Sequence, residues 1–283
     1  MIREWLDGYQ PQNQKQAEDA LREIMQEMAL AGLQRSGFFE VAAFYGGTAL
    51  RIFHGLDRFS EDLDFSLLQA DPGFSLEPYL KGMVKEFEAA GMQVTVTEKM
   101  KTATTTIDSA FLKPETIWKE LTLEGAIPQS GLTKPPPIRI KIEVDREPPL
   151  GFRTEENLLL RPFSFYVKCF ALPDLFAGKM HALLFRKWKN RVKGRDWYDL
   201  EWYIKKGIAL HLGHFRLRAM DSGDWQQPTL TEQDLHQLLL QRIETVSFDS
   251  IKEDIVRFIP DALVLDIWSA AYFQDLAKYL RIA

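Results

Sequence analysis

Cysteine is almost absent from this 283-residue chain, where Cys169 stands alone. A single cysteine excludes disulfide frameworks, cysteine-ligated iron–sulfur clusters and Cys-based zinc sites. Histidine is also scarce, at five residues. The pair His211 and His214 has no Cys or Glu at zinc-ligand spacing, so a zinc site is not expected. There is no GxSxG elbow and no Walker loop. Internal repeats and low-complexity tracts are missing as well. No stretch approaches the ~20 uninterrupted apolar residues needed to span a bilayer. The opening Met1-Ile2-Arg3-Glu4-Trp5-Leu6-Asp7 lacks the basic start and apolar core of a secretory signal. A cytoplasmic protein without membrane association is therefore the expectation. An excess of positive charge is lacking too: 35 Lys and Arg face 40 Asp and Glu, a formal charge of −5. Only a local basic patch could then attract nucleic acid.

What is present is enough for a large folded core. Hydrophobic residues make up 46% and charged residues 27%, the balance of a globular protein. The length allows one large domain or two ordinary ones. Ala17, Leu21, Ile24, Met25, Met28, Leu30 and Leu33 recur at helical spacing and predict a helix over 12–35, ended near Gly37. A short apolar, aromatic strand is expected over 38–45. Gly46-Gly47 then breaks it, with a helix opening at Thr48 as a plausible cap. Strands are expected over 62–68, 92–98 and 102–109, and a helix over 75–90. After the stiff Pro135-Pro136-Pro137, Ile138, Ile140, Ile142 and Val144 alternate with Arg139, Lys141, Glu143 and Asp145, predicting a half-buried strand. Beyond residue 173 the pattern is helical, at 173–188, 195–206, 231–244, 250–258 and 261–281. Trp202, Tyr203, Trp268, Tyr272 and Phe273 read as core of this helical part. The first half is mixed, the second mostly α, and a boundary falls within 150–172.

Three pieces suggest chemistry. Gly46-Gly47-Thr48 sits at a strand-to-helix turn, where glycines admit an anion and free helix-start N–H groups attract phosphate. Thr48 could add a hydroxyl donor. In Ser60-Glu61-Asp62-Leu63-Asp64-Phe65, strand geometry puts Asp62 and Asp64 on one face. Carboxylates held that close repel unless a cation lies between them, and an all-oxygen set suits Mg²⁺. The 138–145 strand offers a third carboxylate, Glu143 or Asp145, on one side. Parity cannot choose between them, but the apolar neighbours of Glu143 favour it. Each piece alone also fits a plain turn, a solvated strand edge or a solvated sheet face. Together, in this order, they are what two-metal nucleotidyl transfer from an NTP requires.

The run Gly46-Gly47-Thr48-Ala49-Leu50 followed by Arg58-Phe59-Ser60-Glu61-Asp62-Leu63-Asp64-Phe65 resembles the opening motif of the AbiEii/AbiGii nucleotidyltransferase family. These are toxins of type IV toxin–antitoxin and abortive-infection systems on a DNA polymerase β-like fold. A second block is similar downstream: Asp174-Leu175, then Lys179-Met180-His181-Ala182 and Arg186, then Lys193-Gly194-Arg195-Asp196-Trp197-Tyr198-Asp199-Leu200. The resemblance implies an α+β protein. Its nucleotidyltransferase domain, with a small mixed sheet, would span 1–165, and a helical domain at 166–283 would complete the active cleft. It also implies a Mg²⁺-dependent enzyme acting on an NTP, with a tRNA 3′ end as acceptor and a cognate antitoxin encoded beside it. By the same resemblance Gly46, Gly47 and Thr48 match the phosphate turn, though the family often has Ser in place of Thr48. Asp62 and Asp64 match the metal pair. Lys179, Asp196 and Asp199 match the second motif, with the choice between the two acids open.

The residues of the second block carry a reading of their own. Lys179 and Arg186 are seven apart and share a helix face, so both could grip phosphates; an exposed polar face is the alternative. One of Asp196 and Asp199 could cap a helix, and either could orient Lys179 or Arg186. Arg186-Lys187-Trp188-Lys189-Asn190-Arg191-Val192-Lys193-Gly194-Arg195 holds six basic residues and no acid. Lys187, Lys189, Arg191, Lys193 and Arg195 are therefore candidates for contact with an RNA backbone.

Overall fold

The computed structural model describes residues 2–98, 116–123, 137–186 and 192–283. The strand expected over 102–109, together with Pro135, Pro136, Lys187, Lys189 and Arg191, lies outside the described residues. The chain divides into two units. One comprises Met1–Ala49, Glu61–Pro148 and Glu155–Cys169, the other Leu50–Ser60, Pro149–Thr154 and Phe170–Ala283.

In the first unit run α1 (Ile2–Gly8), α2 (Gln14–Arg35), β1 (Ala42–Tyr45) and the start of α3 (Gly46–His54). Then follow β2 (Asp62–Leu67), α4 (Glu77–Ala89), β3 (Val94–Glu98), β4 (Thr116–Leu123), β5 (Ile138–Asp145), β6 (Thr154–Leu159) and β7 (Phe165–Phe170). The seven strands form one sheet in the order β3-β4-β5-β2-β1-β7-β6. β2 runs parallel to β5 and β1 parallel to β7, while β1 with β2, β3 with β4 and β4 with β5 are antiparallel. This is the mixed sheet and the α+β class expected.

Burial explains why each element sits where it does. Ile138, Ile140, Ile142 and Val144 of β5 are buried and the residues between them are not, so one face of the strand packs into the core and the other carries its charges. Helix α2 is capped by the Asn13 side chain, which accepts from the Gln16 N–H. The helix buries nearly all of its second half. It crosses α4 with backbones almost touching: a Cβ at Gly32 would strike the Met83 backbone, and one at Gly82 would strike Ser36 Oγ.

Two expectations change here. Residues 38–40 form a 3₁₀ turn and the strand begins only at Ala42. Gly37 turns the chain at φ 75°, and Phe38–Glu40 coil into a 3₁₀ turn in which the Glu40 N–H donates to the Gly37 carbonyl and the Val41 N–H to the Phe38 carbonyl. Helix α3 starts at Gly46, so Thr48 lies inside its first turn and is not its cap.

The second unit holds α5 (Leu172–Phe185), α6 (Gly194–Lys205), β8 (Ala209–Leu210), α7 (Leu212–Asp221), α8 (Glu232–Thr245), α9 (Phe248–Ile255), α10 (Ala270–Ala277) and β9 (Arg281–Ile282). The expected helix over 261–281 is broken. A 3₁₀ turn spans Ala262–Leu265, Ser269 caps α10 afresh, and β9 pairs with β8. Tyr203, Trp268 and Phe273 are buried, and Trp202 and Tyr272 are partly exposed at its edge. Phe176 stacks on Tyr203 at 4.2 Å, and Trp197 meets Phe273 edge-to-face. Among the described residues no helix is long and apolar enough to cross a membrane.

Candidate active site

The first unit brings the three sequence pieces together. Leu63 and Phe65 of β2 are buried, and Asp62 and Asp64 alternate with them onto the opposite, partly exposed face. Because β1 pairs antiparallel with β2, Tyr45 stands opposite Asp64, and Gly46 follows at once as the first residue of α3. Gly46 has φ 86°, and a Cβ there would strike the Asp64 carboxylate. The carboxylate therefore lies over the N-terminus of α3, where free N–H groups and the helix dipole favour negative charge. Thr48 is fully buried and its hydroxyl donates to the Asp62 carbonyl, tying α3 to the head of β2. That hydroxyl proton is committed, and the turn's remaining donors toward an anion are backbone N–H groups.

The register shows which acid stands beside Asp64. In the parallel pairing of β2 with β5, Asp64 stands beside Glu143 and Asp62 beside Lys141, while Asp145 stands beside Ser66, two residues further on. Adjacent strands lie about 4.8 Å apart, so Glu143 is the acid nearest to Asp64 across the sheet. Asp145 instead accepts the Glu147 N–H in the turn after β5. Lys141 shares this face, and its ammonium is ion-paired with Glu143.

The donor set is oxygen only and suits Mg²⁺ in chemistry. Among the described residues, no three His, Cys, Asp or Glu side chains gather into a group able to hold a metal ion. Asp62 and Asp64 are the residues that would hold such an ion, and Glu143 would join them on exchanging Lys141 for it.

The second unit builds a different centre around Asp199 of α6. Its carboxylate is wholly buried and is gripped by Arg58, whose Nε and Nη2 donate to Oδ1 and Oδ2 at 2.6 Å each. Lys179 of α5 adds its ammonium at 2.8 Å from Oδ2. Burial alone pushes the Asp199 carboxyl up, but Arg58 and Lys179 prevail and hold it at about 2. Burial opposes the charge on Arg58 as well, and Asp199 more than offsets it. The neighbouring Tyr203 hydroxyl is fully buried without a hydrogen-bond partner; burial, then Asp199, raises its pKa well above the ordinary range.

Asp196 plays another part. It is buried near the start of α6, with Arg186 Nη1 at 3.9 Å. Arg186, Lys193, Asp196 and Arg242 line a shallow depression of this unit. Burial, then the charge of Arg186, lowers the Lys193 ammonium to about 8. Arg195 lies over the Phe258 ring at 4.3 Å.

Lys179 and Arg186 thus meet different acids, Asp199 and Asp196 respectively. Sequence reasoning missed Arg58 and Arg242. Arg58 was in view beside the acidic pair, but an arginine there reads as a surface charge until its burial is known. Arg242, on a helix face with no motif around it, gave no signal.

Residues 28–281 match the family model described as AbiEii: nucleotidyl transferase AbiEii toxin, type IV TA system. Among solved structures the chain is similar to MenT4, a nucleotidyltransferase toxin from Mycobacterium tuberculosis H37Rv. The TM-score is 0.59 at 17% identity, covering 98% of this chain and 87% of that one. It is also similar to JHP933 from Helicobacter pylori, with a TM-score of 0.49 at 17% identity over 89% of this chain and 90% of that one. No curated protein matches.

Proposed function

Because the chain belongs to the AbiEii family of nucleotidyl transferase toxins of type IV toxin–antitoxin systems, we propose that it moves a nucleotidyl group from an NTP to the 3′ end of a tRNA. The reaction is Mg²⁺-dependent and takes place in the cytoplasm, with a cognate antitoxin opposing it. One observation carries the reading: Asp64, beside Glu143 on the parallel strand, presents its carboxylate at the glycine turn that opens α3.

The roles follow from this placement. Backbone N–H groups at Gly46 and Gly47 receive the triphosphate. Asp62 and Asp64 are the metal ligands, with Glu143 the third carboxylate. Mg²⁺, where these carboxylates hold it, would supply a Lewis acid for the α-phosphoryl group. Glu143 takes the proton of the acceptor hydroxyl as the new O–P bond forms and the bond between the α-phosphorus and the bridging oxygen breaks. Within the second unit, Lys179, held by Asp199, is the cation suited to a nucleotide phosphate.

The test is to incubate the protein with total tRNA, Mg²⁺ and each α-³²P-labelled NTP in turn, then to separate RNA from protein. Label on tRNA with one preferred NTP is the expected result, and Asp64→Ala should lower it by several orders of magnitude without unfolding the chain. Label on protein alone would move the acceptor to a polypeptide. Near-wild-type turnover in Asp64→Ala would remove the metal assignment.

A further inference from the structure

Arg58 stands four residues before Asp62 and is 1% exposed. Two of its nitrogens are spent on Asp199, and Nη1 donates to the Phe59 carbonyl at 3.1 Å. So disposed, the guanidinium cannot itself meet a substrate. Its effect must pass through Asp199, and Asp199 also holds Lys179. Lys179 is the least buried of the three, with 19% of its side chain exposed against 2% for Arg58 and none for Asp199. Two cations share one carboxylate, so the cluster carries a net charge of +1, and the only member with access to an anion is the ammonium. A lysine paired with an aspartate alone would form a neutral pair with little pull on phosphate.

We propose that Arg58 is a positioning residue for nucleotide binding: it neutralises Asp199, so that Lys179, fixed on the same carboxylate, keeps its positive charge for a nucleotide phosphate. The inference rests on the nucleotidyltransferase reading above and names a residue that reading does not use. It separates two jobs within the cluster: Asp199 sets where the ammonium sits, and Arg58 sets how much charge remains there.

The prediction concerns charge balance, so it can be told from a loss of packing. Binding of the α,β-methylene analogue of the preferred NTP is measured by calorimetry with the full-length chain and Mg²⁺, and folding is followed by circular dichroism. Arg58→Gln leaves the cluster neutral and should weaken Kd about tenfold, equivalent to roughly 1.4 kcal/mol. The double variant Arg58→Gln/Asp199→Asn returns the cluster to +1 and should bind at least about threefold tighter than Arg58→Gln, though short of wild type because the carboxylate that places the ammonium is gone, a non-additivity expected only of coupled sites. A double variant as weak as Arg58→Gln, or a folded Arg58→Gln that binds like wild type, overturns the proposal. Should Arg58→Gln not fold, Arg58→Lys keeps the charge count and should bind within about threefold of wild type; a tenfold loss in folded Arg58→Lys overturns it equally. Wild type that binds and transfers while the variants are unaffected sinks only this inference. Wild type that binds no nucleotide removes the functional reading and this inference with it.

Discussion

At Gly46 two constraints meet in one residue: a backbone at φ 86° and the Asp64 carboxylate lying where a Cβ would be. Either alone disfavours a side chain, since the left-handed region costs a non-glycine residue about 1–2 kcal/mol. The carboxylate adds a functional cost, because making room for a methyl group shifts Asp64 itself. Gly46→Ala is therefore expected to lower turnover about 100-fold, the penalty of roughly a 1 Å misplacement, with only a modest fall in Tm. Steady-state kinetics beside a thermal melt checks this, and unchanged turnover would separate Gly46 from the chemistry. Asp199 makes a prediction in pH. Its carboxyl lies near 2 in the folded chain against an ordinary 3.8. A depressed acid stabilises the fold above the unfolded value and loses that contribution as pH falls through the folded one. About 2 kcal/mol should thus disappear between about pH 4 and 2. Denaturant unfolding at pH 7 and pH 3 should show the gap between wild type and Asp199→Asn narrowing in acid; a constant gap would mean Asp199 is not held ionised by its partners.

Between elements, the backbones of α2 and α4 pack closely where the helices cross. Gly32 has the Met83 backbone against it, and backbone cannot swing aside as a flexible side chain does. Gly32→Ala should cost about 1–3 kcal/mol as an overpacking substitution, despite alanine's better helix propensity. Chemical denaturation measures it, and a stabilised variant would mean the two helices can part freely. Element by element, the sequence is legible where one strand or helix repeats its own period. β5 shows this, with buried Ile138, Ile140, Ile142 and Val144 as the alternation requires. The acids of β2 and β5 were legible as types and faces, but the pairing of Asp64 with Glu143 is a long-range register, and parity carries no information about it. β6 and β7 went unread because β6, Thr154-Glu155-Glu156-Asn157-Leu158-Leu159, has little β-branched or aromatic content, and β7 is a six-residue segment whose only charge is Lys168. The stretch after 261 failed for the opposite reason. Its apolar spacing suits one helix, but Asp261 and Ser269 hydrogen-bond nearby backbone N–H groups and divide it into separate turns. Arg58 belongs with these misses, since its partner Asp199 lies 141 residues away.

For the molecule as a whole, charge poses the problem an RNA acceptor must solve. A chain at −5 repels a polyanion at long range, so binding depends on a patch strong enough to prevail locally. The run from Arg186 to Arg195, with six basic residues and no acid, is the segment suited to that. Within it Lys193 is crowded by burial and by Arg186, its ammonium lowered to about 8, so an RNA phosphate nearby would relieve repulsion already built into the fold. Salt separates an RNA acceptor from a small one. Each phosphate neutralised on a single strand contributes about −0.7 to the slope of log affinity against log salt concentration. Removing two cations, Lys189→Gln with Arg191→Gln, should flatten the slope of log kcat/KM for tRNA by about 1.4 and lower kcat/KM at low salt, while the KM for NTP stays within about twofold, since neither residue is assigned to the triphosphate. Transfer measured from 50 to 300 mM KCl, an ordinary working range about the physiological value, reads both quantities at once. An unchanged slope with undiminished transfer would point to an acceptor that carries no phosphate backbone, because a small molecule or a protein side chain has no row of charges for this segment to meet.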